Sequence, residues 1–344
     1  MQRVKLSIPL YFILGGIVLL IANCSNNNNG GSQQEVSVFG PYIDSLTLAI
    51  ENEPQKAILY AQRGEAFYES NNFDAAIKDL NKALELEKDI PDFYRVLSNV
   101  YFDYYKSKEA IDILRTAVER FPTDIALILK LSEFQMLTKQ HGASIQSATS
   151  ILEFDNLNSE AYFMLGVNYK LIGDTTKAIN SFQTAVEQDP DLLEGFLELG
   201  LLFDRQGKGE LALQYFNNAL DIDPFDIPAL YAKGMYYTDR RMDNQAIETF
   251  KQINAIDREY ADPYVNVGLI YLEHDSVQQA YNNFNIAAEV EPTMAKAFYY
   301  RALTGEMLGK INAAIEDYKN ARNLDRDEVY LARIEQKLVE LQNR

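Results

Sequence analysis

Apolar residues recur at intervals of three and four along residues 159–192, the spacing that places them on one face of a helix. The pattern predicts a first helix over residues 160–171 and a second over residues 176–188. Gly173-Asp174 predicts the turn between them, and Asp189-Pro190 ends the second helix because proline disfavours helical geometry in the residue before it. The positions that carry the pattern are Tyr162, Leu165, Gly166, Tyr169, Ala178, Phe182 and Ala185. Such a hairpin is apolar on more than one side and needs neighbours to cover it.

The same residue types return every 34 residues without a gap over residues 57–328, which hold eight copies. Small residues predict places where two helix axes approach closely, and aromatic residues fill the wider gaps between hairpins. The small column reads Gly64, Ser98, Ser132, Gly166, Gly200, Gly234, Gly268 and Ala302. The large column reads Leu80, Leu114, Ala148, Phe182, Phe216, Phe250, Phe284 and Tyr318.

This period and this pattern of small and aromatic residues resemble the tetratricopeptide repeat (TPR) family. The resemblance implies an all-α fold, a right-handed α-solenoid of antiparallel helix pairs in which each repeat packs on the next. Residues 42–56 keep the register of a second helix and predict an N-terminal half repeat. Residues 329–344 predict a capping helix, with Leu331, Ile334, Leu338 and Leu341 on its apolar side.

The repeat over residues 125–158 departs most from the pattern. Gln135 replaces the usual aromatic residue, Ser144 and Ala148 replace an alanine and an aromatic residue, and Ile151 replaces an alanine. Two interpretations follow: drift with compensating repacking, or a local change of superhelix pitch that acts as a hinge.

The first residues have the order of an export signal. A basic start is followed by about 17 almost wholly apolar residues, 6–22, and then by Cys24 and a polar run. This order resembles a bacterial lipoprotein signal over residues 1–23, with lipid on Cys24 and a flexible tether over residues 24–41. Asn23 departs from the small residue usual before that cysteine. The alternatives are an uncleaved anchor at the short edge of a membrane span, ordinary cleavage, or an incidental cysteine.

The charge and the motifs argue against two classes of function. The formal net charge of −18 repels nucleic acid and anionic membrane surfaces. The two histidines, His141 and His274, stand four repeats apart, so they predict no shared metal site. HExxH, phosphate-loop and GxSxG motifs are missing from the sequence, which predicts a non-catalytic protein without a cofactor or metal.

The resemblance places partner binding on the concave surface, which the first helix of each repeat lines. Repeat positions left free by the stacking pattern then predict a long apolar groove. Its candidate residues are Leu129, Phe163, Val167, Lys170, Leu197, Leu201, Tyr231, Met235, Val265, Leu269, Tyr299 and Leu303. The competing interpretation is that these side chains pack between successive first helices. The lysines of a carboxylate-clamp TPR domain are missing, so that type of site is not predicted.

The sequence therefore predicts a protein–protein interaction scaffold in the bacterial envelope. It would be held at the membrane by lipid on Cys24 or by an N-terminal anchor, most simply at the periplasmic face of the outer membrane. Its expected partners are envelope proteins that place a peptide or helix in the groove. The alternative is a structural module that self-associates into homo-oligomers.

Overall fold

The computed structural model describes residues 40–326 and 328–342. These residues form eighteen α-helices and no strands. Cys24, the predicted signal over residues 1–23 and nearly all of the predicted tether lie outside the described residues. The helices are α1 Pro41–Asn52, α2 Ala57–Glu69, α3 Phe73–Leu86, α4 Pro91–Asp103, α5 Ser107–Arg120, α6 Ile125–Leu137, α7 His141–Leu152, α8 Ser159–Leu171, α9 Thr175–Gln188, α10 Leu193–Arg205, α11 Gly209–Ile222, α12 Ile227–Asp239, α13 Asp243–Ile256, α14 Ala261–Glu273, α15 Val277–Val290, α16 Ala295–Met307, α17 Ile311–Leu324 and α18 Leu331–Gln342.

The helices pack in chain order as a solenoid of pairs, which confirms the predicted fold class. Each even-numbered helix from α2 to α16 packs on the next helix in the chain, and each pair then packs on the following pair. First helices also touch the first helix of the next pair, as α6 does α8 and α10 does α12. The described part of the chain has no comparably extensive contact between successive second helices. First helices are therefore crowded together and form the inner, concave layer.

Helices α8 and α9 begin one residue earlier than the periodicity predicts, because side chains cap them. Asn158 Oδ1 accepts a hydrogen bond from the backbone N–H of Ala161 at 2.8 Å. Asp174 Oδ1 accepts one from Lys177 at 3.1 Å. Each cap satisfies a backbone donor that the first turn of a helix leaves without an intrahelical partner.

The small and aromatic columns meet in the core of each pair. Phe182 is fully buried, and its ring lies directly over Gly166. A Cβ atom added to Gly166 would lie only 2.6 Å from that ring. The corresponding distances for Gly200, Gly234 and Gly268 are 2.5, 2.7 and 2.7 Å. The glycines are thus required by close approach of the rings rather than by an unusual backbone conformation.

The turn inside each pair requires the left-handed backbone conformation in all eight repeats. In the central repeat, the N–H of Asp174 donates to the carbonyl of Tyr169 at 2.9 Å, which closes a Schellman-type end to α8. Glycine supplies the positive φ in three repeats only. The eight residues are Asn71 (58°), Tyr105 (59°), Lys139 (62°), Gly173 (82°), Gly207 (74°), Arg241 (56°), Asp275 (55°) and Gly309 (75°).

The divergent repeat over residues 125–158 has a buried polar network at its core. Ser132 stands in the small column, and Ser144 replaces an alanine. Their hydroxyl groups bond to each other, with 2.9 Å between the oxygens. Asn168 of the next repeat donates to the Ser144 hydroxyl at 2.8 Å. Gln135 is buried and accepts a hydrogen bond from Ser147 at 2.8 Å. The packing of this repeat is therefore compensated, as the first interpretation expects, while a hinge here stays a prediction.

Single helices cover the two ends of the stack. Helix α1 buries Ile43, Leu46 and Ile50. At the other end, α18 buries its apolar side in the last hydrophobic cluster of the core. The buried residues of α18 are Ile334, Leu338 and Leu341, and Leu331 is half-buried.

A three-way polar contact stands in the first and the last repeat. Arg63 forms a two-pronged ion pair with Asp79, with N–O distances of 2.6 and 2.9 Å. Its remaining amino group donates to Thr47 of the preceding helix at 3.1 Å. The eighth repeat repeats the arrangement with Arg301, Asp317 and Asn285.

Candidate functional site

The inner layer of first helices places the predicted groove residues at three different depths. Leu129, Val265 and Tyr299 are only 5%, 0% and 6% exposed. They pack between helices, so for these three the interpretation of a groove lining is corrected to one of core packing. The physical reason is that neighbouring first helices approach closely enough to cover them.

Most of the other candidates are half-buried. The ring of Phe163 lies 5.5 Å from that of Phe182, and the ring of Tyr231 lies 5.8 Å from that of Phe250. These aromatic residues therefore pack against the core while part of each side chain stays exposed. The half-buried set is Phe163, Val167, Lys170, Leu197, Tyr231, Met235, Leu269 and Leu303.

Three exposed apolar side chains lie on three consecutive first helices, α6, α8 and α10. Leu201 is 40% exposed, and it is joined by Leu137 and Leu171, which are 51% and 53% exposed. The sequence interpretation missed Leu137 and Leu171. The signal was available, because Leu171 follows Val167 by four residues and so shares its helix face. We call the set Leu137, Val167, Leu171, Leu197 and Leu201 the groove patch.

Ion pairs between consecutive first helices border the groove patch on one side. The Lys170 ammonium lies 2.6 Å from Glu198 of α10, and both side chains are partly exposed. Arg240, the residue that follows α12, lies 2.8 Å from Asp204 of α10. Lys170 was predicted as a groove residue, and the structure shows that a carboxylate already neutralises it. This border therefore carries balanced charge.

At the opposite end of the first helices, carboxylates lie in the first turn of α8, α10 and α14, while α12 between them has Pro228 at that position. Glu160 stands three residues before Phe163, and Glu194 stands three residues before Leu197. Asp262 occupies the same position in α14, in the first turn of the helix. None of these three carboxylates forms an ion pair with a basic residue within residues 40–326 and 328–342. We call Glu160, Glu194 and Asp262 the acidic rim.

Burial and like charge act together on carboxylates at this edge. Burial, and then the neighbouring Asp189, raise the pKa of Glu160. Burial, and then the neighbouring Asp262, raise the pKa of Glu291. The same two causes raise the pKa of Asp226, whose acidic neighbours are Asp223 and Glu194. Negative charge is thus concentrated at the end of the first helices that faces the preceding loop.

The histidines and the other residue types that could bind a metal form no metal site among the described residues. His141 Nδ1 lies 3.2 Å from Asn168 Oδ1, and His274 Nε2 lies 2.6 Å from Asp243. Among the described residues, no three His, Cys, Asp or Glu side chains are grouped so that they could hold a metal ion. Nor does any helix there combine the length and apolar character that a membrane crossing requires.

Comparison with known proteins agrees with this architecture. A family model described as "TPR repeat" matches residues 64–103, and one described as "Tetratricopeptide repeat" matches residues 158–227. The chain is therefore a helical solenoid that contains tetratricopeptide repeats, as its sequence predicts. Repeats of this class are typical of protein–protein interaction scaffolds, which are generally non-catalytic.

Two curated proteins of Dictyostelium discoideum are similar over part of their length. Anaphase-promoting complex subunit 3 is 29% identical over 85 residues, which are 25% of this chain and 9% of that protein. A DnaJ homolog subfamily C member 3 homolog is 24% identical over 165 residues, which are 43% of this chain and 33% of that protein. The chain thus spans a third or less of these relatives.

Solved structures share the fold at low sequence identity. The Cut9–Hcn1 hetero-tetramer of the APC/C has a TM-score of 0.51 and 16% identity, covering 87% of this chain and 58% of that one. A tetratricopeptide repeat protein from Parabacteroides merdae has a TM-score of 0.50 and 18% identity, covering 74% of this chain and 99% of that one.

Proposed function

We propose that this protein is an interaction scaffold of the bacterial envelope whose concave groove binds a peptide or helix of partner proteins. The observation that carries the proposal is the groove patch. Leu137, Leu171 and Leu201 expose apolar surface on three consecutive first helices, although a solenoid could place polar residues there without loss of packing. Exposed apolar surface on a concave face is typical of a site for a protein partner.

The test changes exposed leucines rather than half-buried aromatic residues. The full-length chain carrying Leu137→Asn, Leu171→Asn and Leu201→Asn is compared with wild type for partner capture from an envelope extract. The matched control changes three apolar residues that are exposed elsewhere, Leu157→Asn, Ile256→Asn and Val339→Asn. We expect the first variant to lose its partners and the control to retain them. Equal capture by both variants would refute binding in the groove.

The tether is a separate part of the proposal. Cys24, which follows an apolar segment and a basic start, would carry lipid and hold the repeats at the periplasmic face of the outer membrane. Labelling cells with a palmitate analogue tests this assignment. Wild-type protein should take up label, and Cys24→Ala should not. Undiminished labelling of the variant would show that the lipid is not attached to this residue.

A further inference from the structure

We propose that the groove selects a polypeptide segment with two features. Its apolar side chains face the first helices, and the edge that lies over the acidic rim carries lysine or arginine. This inference rests on the proposed function, since it names the chemistry of the partner that the same groove would take. It follows from the difference between the two borders of the groove patch.

The position of the acidic rim is set by helix geometry. Residues separated by three and seven positions share one face of a helix. Glu160, Phe163 and Val167 therefore form one line along α8, and Glu194, Leu197 and Leu201 form the same line along α10. Each line begins with a carboxylate at the N-terminal end of the helix and continues into apolar surface. A segment that crosses the first helices over the groove patch would run beside these carboxylates.

Helix stability alone does not account for this row of acids. A single carboxylate in the first turn is favourable because of the helix dipole. Here, however, first-turn carboxylates have a second carboxylate beside them from an adjoining loop, which is unfavourable without a cation. These neighbours are Asp189 beside Glu160, Asp226 beside Glu194, and Glu291 beside Asp262.

Some of the neighbouring carboxylates already accept hydrogen bonds within the protein, which leaves fewer carboxylates available to a ligand. Asp189 and Asp223 each accept a backbone hydrogen bond within their own loops, and Asp226 caps α12 through Ala229 at 2.7 Å. Glu160, Glu194 and Asp262 form no such bond among the described residues. These three are the rim members whose charge a partner could use.

The opposite border carries no comparable excess of charge. Lys170 is paired with Glu198, and Arg240 is paired with Asp204. A cation on that side of the partner would meet a carboxylate that already has one. Complementarity therefore requires basic residues along one edge of the segment only. Packed helices lie roughly 10 Å apart, which matches seven residues of a helix at 1.5 Å per residue, about 10.5 Å.

The test uses two synthetic helix-forming peptides of about 22 residues, roughly 33 Å long. Both have leucine along one face, and one flank of that face carries lysine in the first peptide and glutamate in the second. Their dissociation constants are measured by fluorescence anisotropy with the full-length chain in detergent micelles. The rim variant is Glu160→Gln, Glu194→Gln, Asp262→Asn. The matched control is Glu187→Gln, Glu210→Gln, Glu248→Gln, which makes the same change in net charge on exposed positions of second helices.

We expect wild type to bind the lysine peptide and the rim variant to bind it about tenfold more weakly, as the loss of three partly exposed ionic contacts would account for. The control should bind like wild type. A second variant, Glu160→Lys, Glu194→Lys, Asp262→Lys, should prefer the glutamate peptide. Equal loss in the rim variant and the control, or failure of wild type to bind the lysine peptide, would overturn the inference.

These outcomes separate the inference from the proposed function. If both peptides bind wild type equally, and both are lost with Leu137→Asn, Leu171→Asn and Leu201→Asn, the groove binds partners but the charge selection is wrong. If those leucine changes leave binding of the lysine peptide intact, the site itself is misplaced and the inference fails with it.

Discussion

At the scale of single residues, the contact between Gly166 and Phe182 decides how closely the two helices of a pair approach. The ring is fully buried and leaves no room for a Cβ atom, which would lie 2.6 Å away. We expect Gly166→Ala to lower the free energy of unfolding by about 1–3 kcal/mol, the usual cost of overpacking a core. The midpoint of urea unfolding measures the change.

Gly305 provides the matched control for this prediction. It also lies buried inside a first helix, but a Cβ atom there would have its nearest neighbour at an ordinary 3.5 Å. Alanine is favoured over glycine in a helix by about 1 kcal/mol, so Gly305→Ala should stabilise or leave stability unchanged. Similar losses in the two variants would contradict the role assigned to ring contact.

The residue scale also shows where sequence reasoning stops. The small and aromatic columns were visible because their residue types repeat. The left-handed turn position repeats just as strictly, but Tyr105, Lys139 and Arg241 occupy it as readily as Gly173 does. A bond pattern around the turn, rather than a residue type, imposes that conformation. The exposure of Leu171 likewise depends on how neighbouring helices pack, which a single helix pattern does not contain.

At the scale of elements, α18 completes the apolar core of the last repeat. Ile334 is fully buried in the cluster that also contains Tyr299 and Tyr318. Ile334→Ala should cost about 2–5 kcal/mol, as for other large-to-small changes in a core. Because a solenoid is held together by contacts between neighbours, we expect the loss to be local.

Hydrogen exchange followed by mass spectrometry tests this prediction. Exchange should become faster in α16, α17 and α18 and should stay unchanged in α2 and α3. Val339→Ala is the control, since Val339 lies on the same helix but is exposed. Faster exchange throughout the chain would mean that the stack unfolds as a unit.

Agreement between sequence and structure is closest at this scale. The helical periodicity, the Gly173-Asp174 turn and Pro190 were enough to predict α8 and α9 to within one residue. The end helices were also expected, because an open apolar face requires a cover. The sequence left open whether each groove candidate lines the groove or packs between first helices, because the burial of Leu129, Val265 and Tyr299 depends on how closely neighbouring first helices approach.

At the scale of the whole molecule, the closely spaced carboxylates make the free energy of unfolding depend on pH. The pKa values of Glu160, Asp226 and Glu291 are raised in the folded protein by burial and by neighbouring carboxylates. The folded state therefore holds protons more tightly than the unfolded chain, whose ordinary values are 4.5 for glutamate and 3.8 for aspartate. The contribution of these groups is fully present below those values and is lost as pH rises through the raised ones.

We expect these three groups to make the free energy of unfolding decrease as pH rises from about 4.5 towards neutrality. Glu160→Gln should flatten that dependence, because a glutamine does not titrate. Glu187→Gln, on an exposed position of α9, is the control and should leave the profile as in wild type. Chemical unfolding at a series of pH values measures both. An identical profile for Glu160→Gln and wild type would contradict the assignment.

The polar contacts of Arg63 and Arg301 affect how the repeats find their correct neighbours during folding. A chain made of near-identical units has many almost equivalent ways to pair its parts, because the apolar columns look the same one unit further along. Thr47 and Asn285 each accept a hydrogen bond from an arginine in the correct arrangement. In the second repeat, the position of that arginine is occupied by Leu97. Docking one unit out of step would separate the partly buried guanidinium group from this acceptor. These two contacts therefore favour the correct pairing of units at the two ends of the chain over a pairing shifted by one repeat.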